Sequence, residues 1–304
     1  MKDPKIYGHW PYRDRPKVTW PGDKKLAFWV APNIEYYELH PPKNPHRSPW
    51  ARPNPDIVGY AYRDHGNRVG NWRLIEAMEK YNIPGTVSLS VAMCDHFPEM
   101  IDTVNDLGWE FFSHGVYNTR YAYGMDRAQE RQMLQYTIDR IKTQTGQQTR
   151  GYLAPALTHT IHTIELLAEL GFTYSCDLFQ DDQPQPLNVP GNPLVSMPYS
   201  LEVNDHYAFN VFGLSPQQYT DVLKRQFDTL LEEGGTSGTV MCIPAYLVGR
   251  SHRISPFEEI LRYADEHKDD IWITKAGDIA DHYLANHYDD ARTHIAQFGG
   301  SDAA

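Results

Sequence analysis

The most constraining feature of this 304-residue chain is a regular alternation of short apolar runs with amphipathic helical patterns. The runs "KLAFWVAPNIE", "GTVSLSV", "WEFFSH" and "TVMCIP" are typical of buried strands, and "NWRLIEAMEKYNI" and "FPEMIDTVNDLG" between them are typical of helices. Strand, helix and strand joined by short connections predict parallel strands, right-handed crossovers and an outer layer of helices. About seven such units are present, which favours a closed or nearly closed α/β barrel.

Capping residues predict the boundaries of three helices. A long helix is expected over about residues 126–145, ended by Gly146 at the position where a left-handed φ is favoured. "SPQQYTDVL" and "SPFEEIL" each combine a serine, a proline at the first helical position, and a glutamine or glutamate at the third. We therefore expect Ser215 and Ser255 to cap the two later helices.

The chain is expected to form one barrel domain over residues 1–288, because no linker rich in glycine and serine divides it and no fixed repeat is visible. The domain includes a proline-rich arm, residues 40–56, that can be neither a helix nor a central strand. This arm is either a lid over the site or a passive surface excursion. Residues 289–304 are expected to be a polar tail that frays.

The amino-acid composition indicates which binding partners and which cellular compartment to expect. The excess of 39 acidic over 28 basic residues gives a net charge of −11, and no run of lysine and arginine is present, which argues against nucleic acid and membranes as partners. No window has the length of a membrane span or of a signal peptide. The three cysteines, Cys94, Cys176 and Cys242, are far apart, as expected of buried thiols in a reducing compartment. We predict a cytoplasmic location.

Polar side chains follow several of the predicted strands, where the loops of a parallel barrel converge on one mouth. Asn33 and Glu35 follow the first strand and, being two residues apart, face the same side. In "FFSHGVYN", His114 ends another strand, and Asn118 stands where a second histidine would complete half of a metal site. Two further segments contribute Asp177, Asp181, Asp182 and Gln183, and Glu202, Asn204, Asp205 and His206.

Each of these signals also has a structural interpretation. A histidine at a strand end is commonly a structural group, and "DDQPQP" can be a turn in which aspartates bond nearby amides. "VGRSHR" can bind a substrate carboxylate through Arg250 or form a basic surface turn. A glutamate directly after an apolar strand is costly to bury without partners, which favours a functional role for Glu35. The placement of these groups at one mouth is what supports a site.

The segments "WPGDKKLAFWVAPNIE", "GNWRLIEAMEKYNIPGTVSLSVAM", "LGWEFFSHG", "SCDLFQDDQP" and "YLVGRSHRI" occur in an order and spacing that resemble the polysaccharide deacetylase (NodB-homology) superfamily. The allantoinase and cyclic-imide hydrolase branch is the most similar. The resemblance implies a distorted (β/α) barrel, hydrolysis of C–N bonds other than peptide bonds, and a homo-oligomer, with a tetramer favoured. Self-association is also favoured by Trp10, Trp20 and Trp50, which lie in irregular segments that a monomer would struggle to cover.

The resemblance also implies where a metal would bind. Metal-dependent members carry a base aspartate, a metal aspartate and two histidines, and these positions are occupied here by Asn33, Glu35, His114 and Asn118. A hydrolytic zinc needs three nitrogen or anionic oxygen ligands and an open position for water, and a neutral amide is a poor ligand. We therefore expect that no cofactor is required. A divalent metal such as zinc, held by Glu35 and His114, is the alternative.

The leading functional hypothesis is a hydrolase that opens a small cyclic amide, imide or ureide, or releases an acyl group from a small N-acyl compound. Glu35 would deprotonate water, provided that burial raises its pKa, and His114 would act as an acid–base or as an electrophilic donor. The third catalytic candidate is Asp182. The candidates for substrate binding are Asn33, Asn118, Asp177, Asp181, Gln183 and Arg250. A metal-dependent carbohydrate N-deacetylase and a non-catalytic binding barrel are the two alternatives.

Overall fold

The centre of the sheet is β1 (Leu26–Ile34), a strand of nine residues that are all buried. The structure is a computed structural model that describes residues 6–43 and 53–298. In it β1 pairs in parallel with β8 (Thr239–Ala245) along most of its length, and with β2 (Thr86–Leu89) near its end. Its apolar sequence follows from this position, because a strand of a parallel sheet that is covered on both faces needs no polar side.

The remaining strands are short. They are β3 (Glu110–Ser113), β4 (Gly151–Tyr152), β5 (Tyr174–Ser175), β6 (Gln185–Pro186), β7 (Val195–Ser196) and β9 (Ile271–Ile273). The helices are α1 (Ile57–His65), α2 (Asn71–Lys80), α3 (Met93–His96), α4 (Pro98–Asp106), α5 (Arg127–Thr145), α6 (Thr163–Glu169), α7 (Pro216–Glu233), α8 (Ile254–Glu266), α9 (Ala276–Asn286) and α10 (Tyr288–Ala296). Within the described residues, no helix is both long and apolar enough to cross a membrane.

The strands of the described residues form one curled sheet in the order β6-β7-β5-β4-β3-β2-β1-β8, and β9 also pairs with β1. All pairs are parallel except β6 with β7. The backbone N–H of Val240 in β8 donates to the carbonyl of Asp182 (2.9 Å), which links the β8 edge to the segment after β5. The predicted distorted (β/α) barrel is confirmed. The sequence pattern missed β6 and β7, because strands of two residues have no periodicity.

Alternation along β1 separates two packed clusters. Phe28 packs on one side of the sheet in a cluster with Phe227 of α7. Trp29 belongs to the cluster on the other side, together with Phe112 of β3 and Tyr199. Because successive side chains of a strand face opposite sides, the residues after Trp29 at intervals of two stay on this second side.

Two of the three predicted helix boundaries are confirmed. Gly146 ends α5 with a φ of 74°, and Ser215 caps α7 in a reciprocal capping box with Gln218. The prediction for Ser255 is wrong, because α8 already begins at Ile254 and has no side-chain cap. The proline that suggested the cap lies in the first turn, where its missing N–H costs no helical hydrogen bond.

The proline-rich arm was predicted over residues 40–56, of which residues 44–52 lie outside the described residues. Its two ends meet, because the backbone N–H of Asp56 donates to the carbonyl of Leu39 (2.8 Å). The carboxylate of Asp56 in turn accepts from the N–H of Gly59 (2.7 Å) and caps α1. The arm therefore leaves and re-enters the fold at one point, directly before α1.

The described part of the expected polar tail forms a helix instead of fraying. In α10, Tyr288 and Ala291 are buried, and Trp10 Nε1 donates to Nδ1 of His294 (3.2 Å). Sequence analysis missed this helix because its buried face consists of few apolar residues in a polar segment. The domain boundary at residue 288 stays a prediction.

The argument for self-association from uncovered tryptophans is wrong for two of the three residues. Trp10 and Trp20 are 5% and 2% exposed within the single chain. Trp20 Nε1 also donates to the carbonyl of Thr239 (3.0 Å). Trp50 lies outside the described residues. The homo-oligomer therefore stays a prediction that rests on the family resemblance.

The loop after β8 meets the helical segment after α1 backbone to backbone. A Cβ on Gly249 would lie 2.4 Å from the carbonyl oxygen of Gly70, whereas a Cβ on Gly70 would come no nearer than 3.7 Å to any atom of that loop. Arg73 joins the two segments by donating from Nη1 to the carbonyl of Gly249 (2.9 Å). This close approach sets the distance between α1 and the loop that begins at Tyr246.

We predict that Gly249→Ala destabilises the protein and that Gly70→Ala does not. Alanine at 249 must push two backbones apart, at a cost of about 1–3 kcal/mol. Alanine at 70 fits the helical backbone and should be neutral or stabilising by up to about 1 kcal/mol. Urea unfolding followed by circular dichroism gives both values. Equal stability of the two variants would contradict the close approach.

Candidate active site

A cleft with a volume of about 130 Å³ opens at the carboxyl ends of β1, β3 and β8. Alternation along the strands places its polar residues. Asn33 and Glu35 continue the series that begins at Trp29, and His114 continues the series of Phe112. Tyr246 likewise follows the buried residues of β8 into the cleft.

Hydrogen bonding fixes the protonation of the His114 ring. Nδ1 lies 2.9 Å from the carbonyl oxygen of Leu153, and because a carbonyl only accepts, Nδ1 carries a proton. Nε2 lies 3.3 Å from Oε1 of Glu35, and both side chains are buried. Apart from this ionic contact, Nε2 has no hydrogen-bond partner among the described residues. The two groups form an ion pair in which Nε2 can still reach a bound molecule.

The charges of the pair shift both pKa values. Burial alone would raise the pKa of Glu35, but His114 and then Arg63 outweigh it, and the pKa of Glu35 is lowered. Burial alone would lower the pKa of His114, but Glu35 outweighs it, and the pKa of His114 is raised above 6.5. The proton therefore resides on His114 and Glu35 is ionised. The expectation that burial raises the pKa of Glu35 is wrong, because it ignored these two neighbours.

Asn118 completes the surroundings of Glu35. Its Nδ2 donates to Oε2 of Glu35 and to the hydroxyl of Tyr37, the latter at 2.6 Å. Its Oδ1 is buried and has no hydrogen-bond partner in the described part of the chain. Asn118 therefore offers an acceptor to a ligand, because its NH₂ group is already bonded to Glu35 and Tyr37.

Asn33, the other asparagine predicted to bind substrate, already has a hydrogen-bond partner. Asn33 Nδ2 lies 3.1 Å and its Oδ1 lies 3.3 Å from the hydroxyl of Tyr199, which also lines the cleft. This contact holds the amide against the cleft wall.

Sequence reasoning missed Tyr37, Arg63 and Tyr246, which also line the cleft. Arg63 reaches it from α1, with its guanidinium carbon 5.0 Å from the ring centre of Tyr37 and 4.7 Å from that of Tyr246. Tyr246 could have been found by extending the alternation of β8 by one step. Arg63 carried no such signal, because it lies in a helix and not at a strand end.

The segment after β7 supplies two polar residues of the cleft, Asn204 and His206. Burial, and then Arg63, lowers the pKa of His206 to about 4, so the ring is neutral at pH 7. Its Nδ1 lies 3.3 Å from the side-chain nitrogen of Asn210, which can only donate, so the proton of the neutral ring is on Nε2.

Asp205 holds the loop that carries Tyr246. Its Oδ2 accepts from the backbone N–H groups of Tyr246 (2.7 Å), Leu247 (2.5 Å) and Val248 (2.6 Å). Burial outweighs these bonds and raises the pKa of Asp205 to about 6. Asp205 is thus a positioning residue beneath the cleft.

The "DDQPQP" segment does not line the cleft. Asp181 pairs with Arg15 (2.7 Å), and Gln183 Nε2 donates to the carbonyl of Gly238 (3.0 Å). The carbonyl of Asp182 is bonded to Val240, near the amino end of β8 and away from the mouth. The expected contacts of Asp181, Asp182 and Gln183 with a substrate are therefore corrected. The physical reason is that the chain after β5 runs along the sheet edge instead of turning over the mouth.

Two more candidates have structural partners. Asp177 accepts from the N–H of Ala154 (2.7 Å) and pairs with Nε2 of His159 (2.8 Å), so it shapes the wall without lining the cleft. Arg250 stacks on the ring of Tyr62 at 3.9 Å and donates to its carbonyl (2.9 Å). The expected substrate contact of Arg250 is therefore corrected as well.

The family model described as polysaccharide deacetylase matches residues 53–175. The crystal structure of a probable polysaccharide deacetylase from Pseudomonas aeruginosa PAO1 is 30% identical, with a TM-score of 0.79 over 94% of this chain and 98% of that one. The chain belongs to the polysaccharide deacetylase family.

Two further relatives of the chain are named for two different activities. The PuuE allantoinase structure is 26% identical, with a TM-score of 0.79 over 90% of this chain and 95% of that one. The peptidoglycan deacetylase of Helicobacter pylori (strain ATCC 700392 / 26695) is 26% identical over 249 residues, which are 71% of this chain and 84% of the relative. Both activities hydrolyse C–N bonds other than peptide bonds, and the chain is a hydrolase of this class.

The donor set at the metal position fits a hydrolytic zinc poorly. Only Glu35 and His114 present conventional ligand atoms to one point, and Asn118 directs its NH₂ group at Glu35. Across residues 6–43 and 53–298, no cluster of three or more His, Cys, Asp or Glu side chains could hold a metal ion. A zinc here would lack the third anionic or imidazole ligand that hydrolytic sites use.

We predict that His114 titrates above pH 6.5 in the wild type and below it in Glu35→Gln. Removing the carboxylate leaves burial as the main influence, and burial lowers the pKa of an imidazole. Nuclear magnetic resonance of the ring, assigned with His114→Gln, measures both values. An unchanged pKa in Glu35→Gln would show that the two side chains are not an ion pair.

Proposed function

We propose that this family member hydrolyses a small cyclic amide, imide or ureide, or a small N-acyl compound, without a metal ion. The observation that supports it best is the buried contact of 3.3 Å between Glu35 Oε1 and His114 Nε2. Asn118, at the place of a further metal ligand, donates to the same carboxylate. One base and one acid thus stand side by side, and a hydrolysis that breaks a C–N bond needs both.

The protons can be followed through the reaction. Glu35, which its pairing with His114 keeps ionised, takes a proton from water as the water oxygen bonds to the carbonyl carbon, because bond formation makes that proton acidic; the carbonyl electrons move to the carbonyl oxygen. Re-formation of the C=O bond then expels the nitrogen, which takes the proton from Nε2 of His114 as the C–N bond breaks. Glu35 afterwards returns its proton to His114 across the 3.3 Å contact, which restores the resting pair.

The remaining polar atoms of the cleft suit an amide or ureide. Asn118 Oδ1 can accept from an N–H of the substrate, and the hydroxyl of Tyr246 can donate to an oxygen; both atoms are buried and without partners among the described residues. Buried groups that need a partner discriminate strongly against molecules that lack one.

The second candidate is a metal-dependent carbohydrate N-deacetylase, which the names of two relatives favour. It needs a ligand set that Glu35 and His114 alone do not supply. Turnover of N-acetylated sugar oligomers that depends on zinc would select it. A binding protein without catalysis would turn over neither substrate class.

A cytoplasmic location and a homo-oligomeric state stay predictions.

We expect Glu35→Gln and His114→Ala each to lower kcat by about a hundredfold or more, because each removes one partner of the proton transfer. Asp182→Asn is the control, since it lies away from the cleft, and should keep kcat/KM within about twofold. A panel of dihydropyrimidine, hydantoin, allantoin and succinimide supplies the substrates. Full activity of Glu35→Gln or His114→Ala would refute the assignment.

Chelation separates the two enzyme hypotheses. After dialysis against EDTA, kcat/KM on the panel should stay within about twofold of its starting value, because the proposed proton path uses no metal. Elemental analysis of the same sample measures the residual metal. Activity that is lost with zinc and restored by stoichiometric zinc would contradict the metal-independent mechanism.

A further inference from the structure

The charges of the cleft do not balance. Glu35 is its only described carboxylate, and it shares one proton with His114, so this pair carries no net charge. His206 is neutral at pH 7. Arg63 is the remaining ionisable group besides the tyrosines, and it is always charged. The cleft therefore carries about one positive charge inside a chain whose net charge is −11.

Arg63 is held in place by faces of rings. Tyr37 and Tyr246 contact its guanidinium by cation–π interactions, at 5.0 and 4.7 Å from the ring centres. Its Nη1 is buried and has no hydrogen-bond partner among the described residues, and no described carboxylate lies within 4.0 Å of it. Glu35, which acts on Arg63 through its charge, is already bonded to Asn118.

Such an arrangement is costly unless a ligand completes it. A buried N–H of a guanidinium without an acceptor loses its hydration and gains nothing in return. The hydroxyl of Tyr246, the ring that contacts Arg63, is also buried without a partner. Arg63 and Tyr246 thus present two donors on adjoining side chains.

We infer that Arg63 and Tyr246 bind a carboxylate of the substrate, so that the site takes small amides or ureides that carry a carboxylate beside the scissile group. The inference rests on the proposed function and adds the substrate class. The Arg63 guanidinium and the Tyr246 hydroxyl can each donate to one oxygen of a carboxylate. Asn118 Oδ1, an acceptor, is suited to the N–H of the same molecule and not to its anionic end.

Matched substrates and matched variants test this inference. Hydantoin and hydantoin-5-acetate differ by one carboxymethyl group, and dihydrouracil and dihydroorotate differ by one carboxylate. Arg63→Met removes the charge and keeps an unbranched side chain against the rings, and Arg63→Lys keeps the charge. Arg68→Met is the control, because Arg68 lies in the following helical segment, is exposed, and pairs with Asp64.

The wild type should prefer the carboxylated member of each pair in kcat/KM by about tenfold or more. Arg63→Met should lose about a hundredfold on the carboxylated member, and the loss on the neutral one should be smaller by about tenfold or more. Arg63→Lys should retain part of the preference, and Arg68→Met should keep all of it. Thermal unfolding verifies that each variant is folded.

Equal losses on both members in Arg63→Met, or a wild-type preference for the neutral member, would overturn the inference. If no member is hydrolysed, the proposed function fails, and calorimetric titration still decides the inference. Tighter binding of hydantoin-5-acetate than of hydantoin to the wild type, abolished in Arg63→Met, would uphold the anion site. Equal binding of both compounds would reject it.

Discussion

The alternation of side chains along parallel strands is the constraint on which the site depends. Trp29 of β1 and Phe112 of β3 pack on the same side of the curled sheet, so Glu35 and His114, which follow them at even intervals, also share that side. The curl of the sheet then brings the two groups to 3.3 Å although β2 separates their strands. A shift of one residue in either strand would turn its group away from the cleft.

The buried carboxylate of Glu35 needs neutralisation, and the chain supplies it with its own side chains. In the ligand pattern that the family resemblance implies, a metal ion would fill that role. Here His114 contributes a positive charge and Asn118 a hydrogen bond to the other oxygen. Both lower the pKa of Glu35 despite its burial. Asn118 thus stands where the resemblance implies a metal ligand. Side chains instead of a metal ion balance the charge of Glu35, and its carboxylate stays buried.

The same alternation along strands decides which features could be predicted from the sequence. The barrel, Glu35 and His114 could be predicted because strands carry a period of two and end at one mouth. The course of the chain after β5 has no period, so Asp182 was placed at the mouth although it lies at the other end of β8. Arg63 was missed because its position depends on how α1 packs against the loop of Tyr246, which no local pattern encodes.

In the proposed mechanism, Glu35 and His114 cleave a C–N bond as an ion pair without a metal. Anomalous diffraction at the zinc edge, from crystals of a preparation of measured activity soaked in zinc, tests it most directly. We expect no anomalous peak between Glu35 Oε1 and His114 Nε2 while the preparation remains active. A fully occupied peak bonded to both atoms, with activity that follows its occupancy, would contradict it.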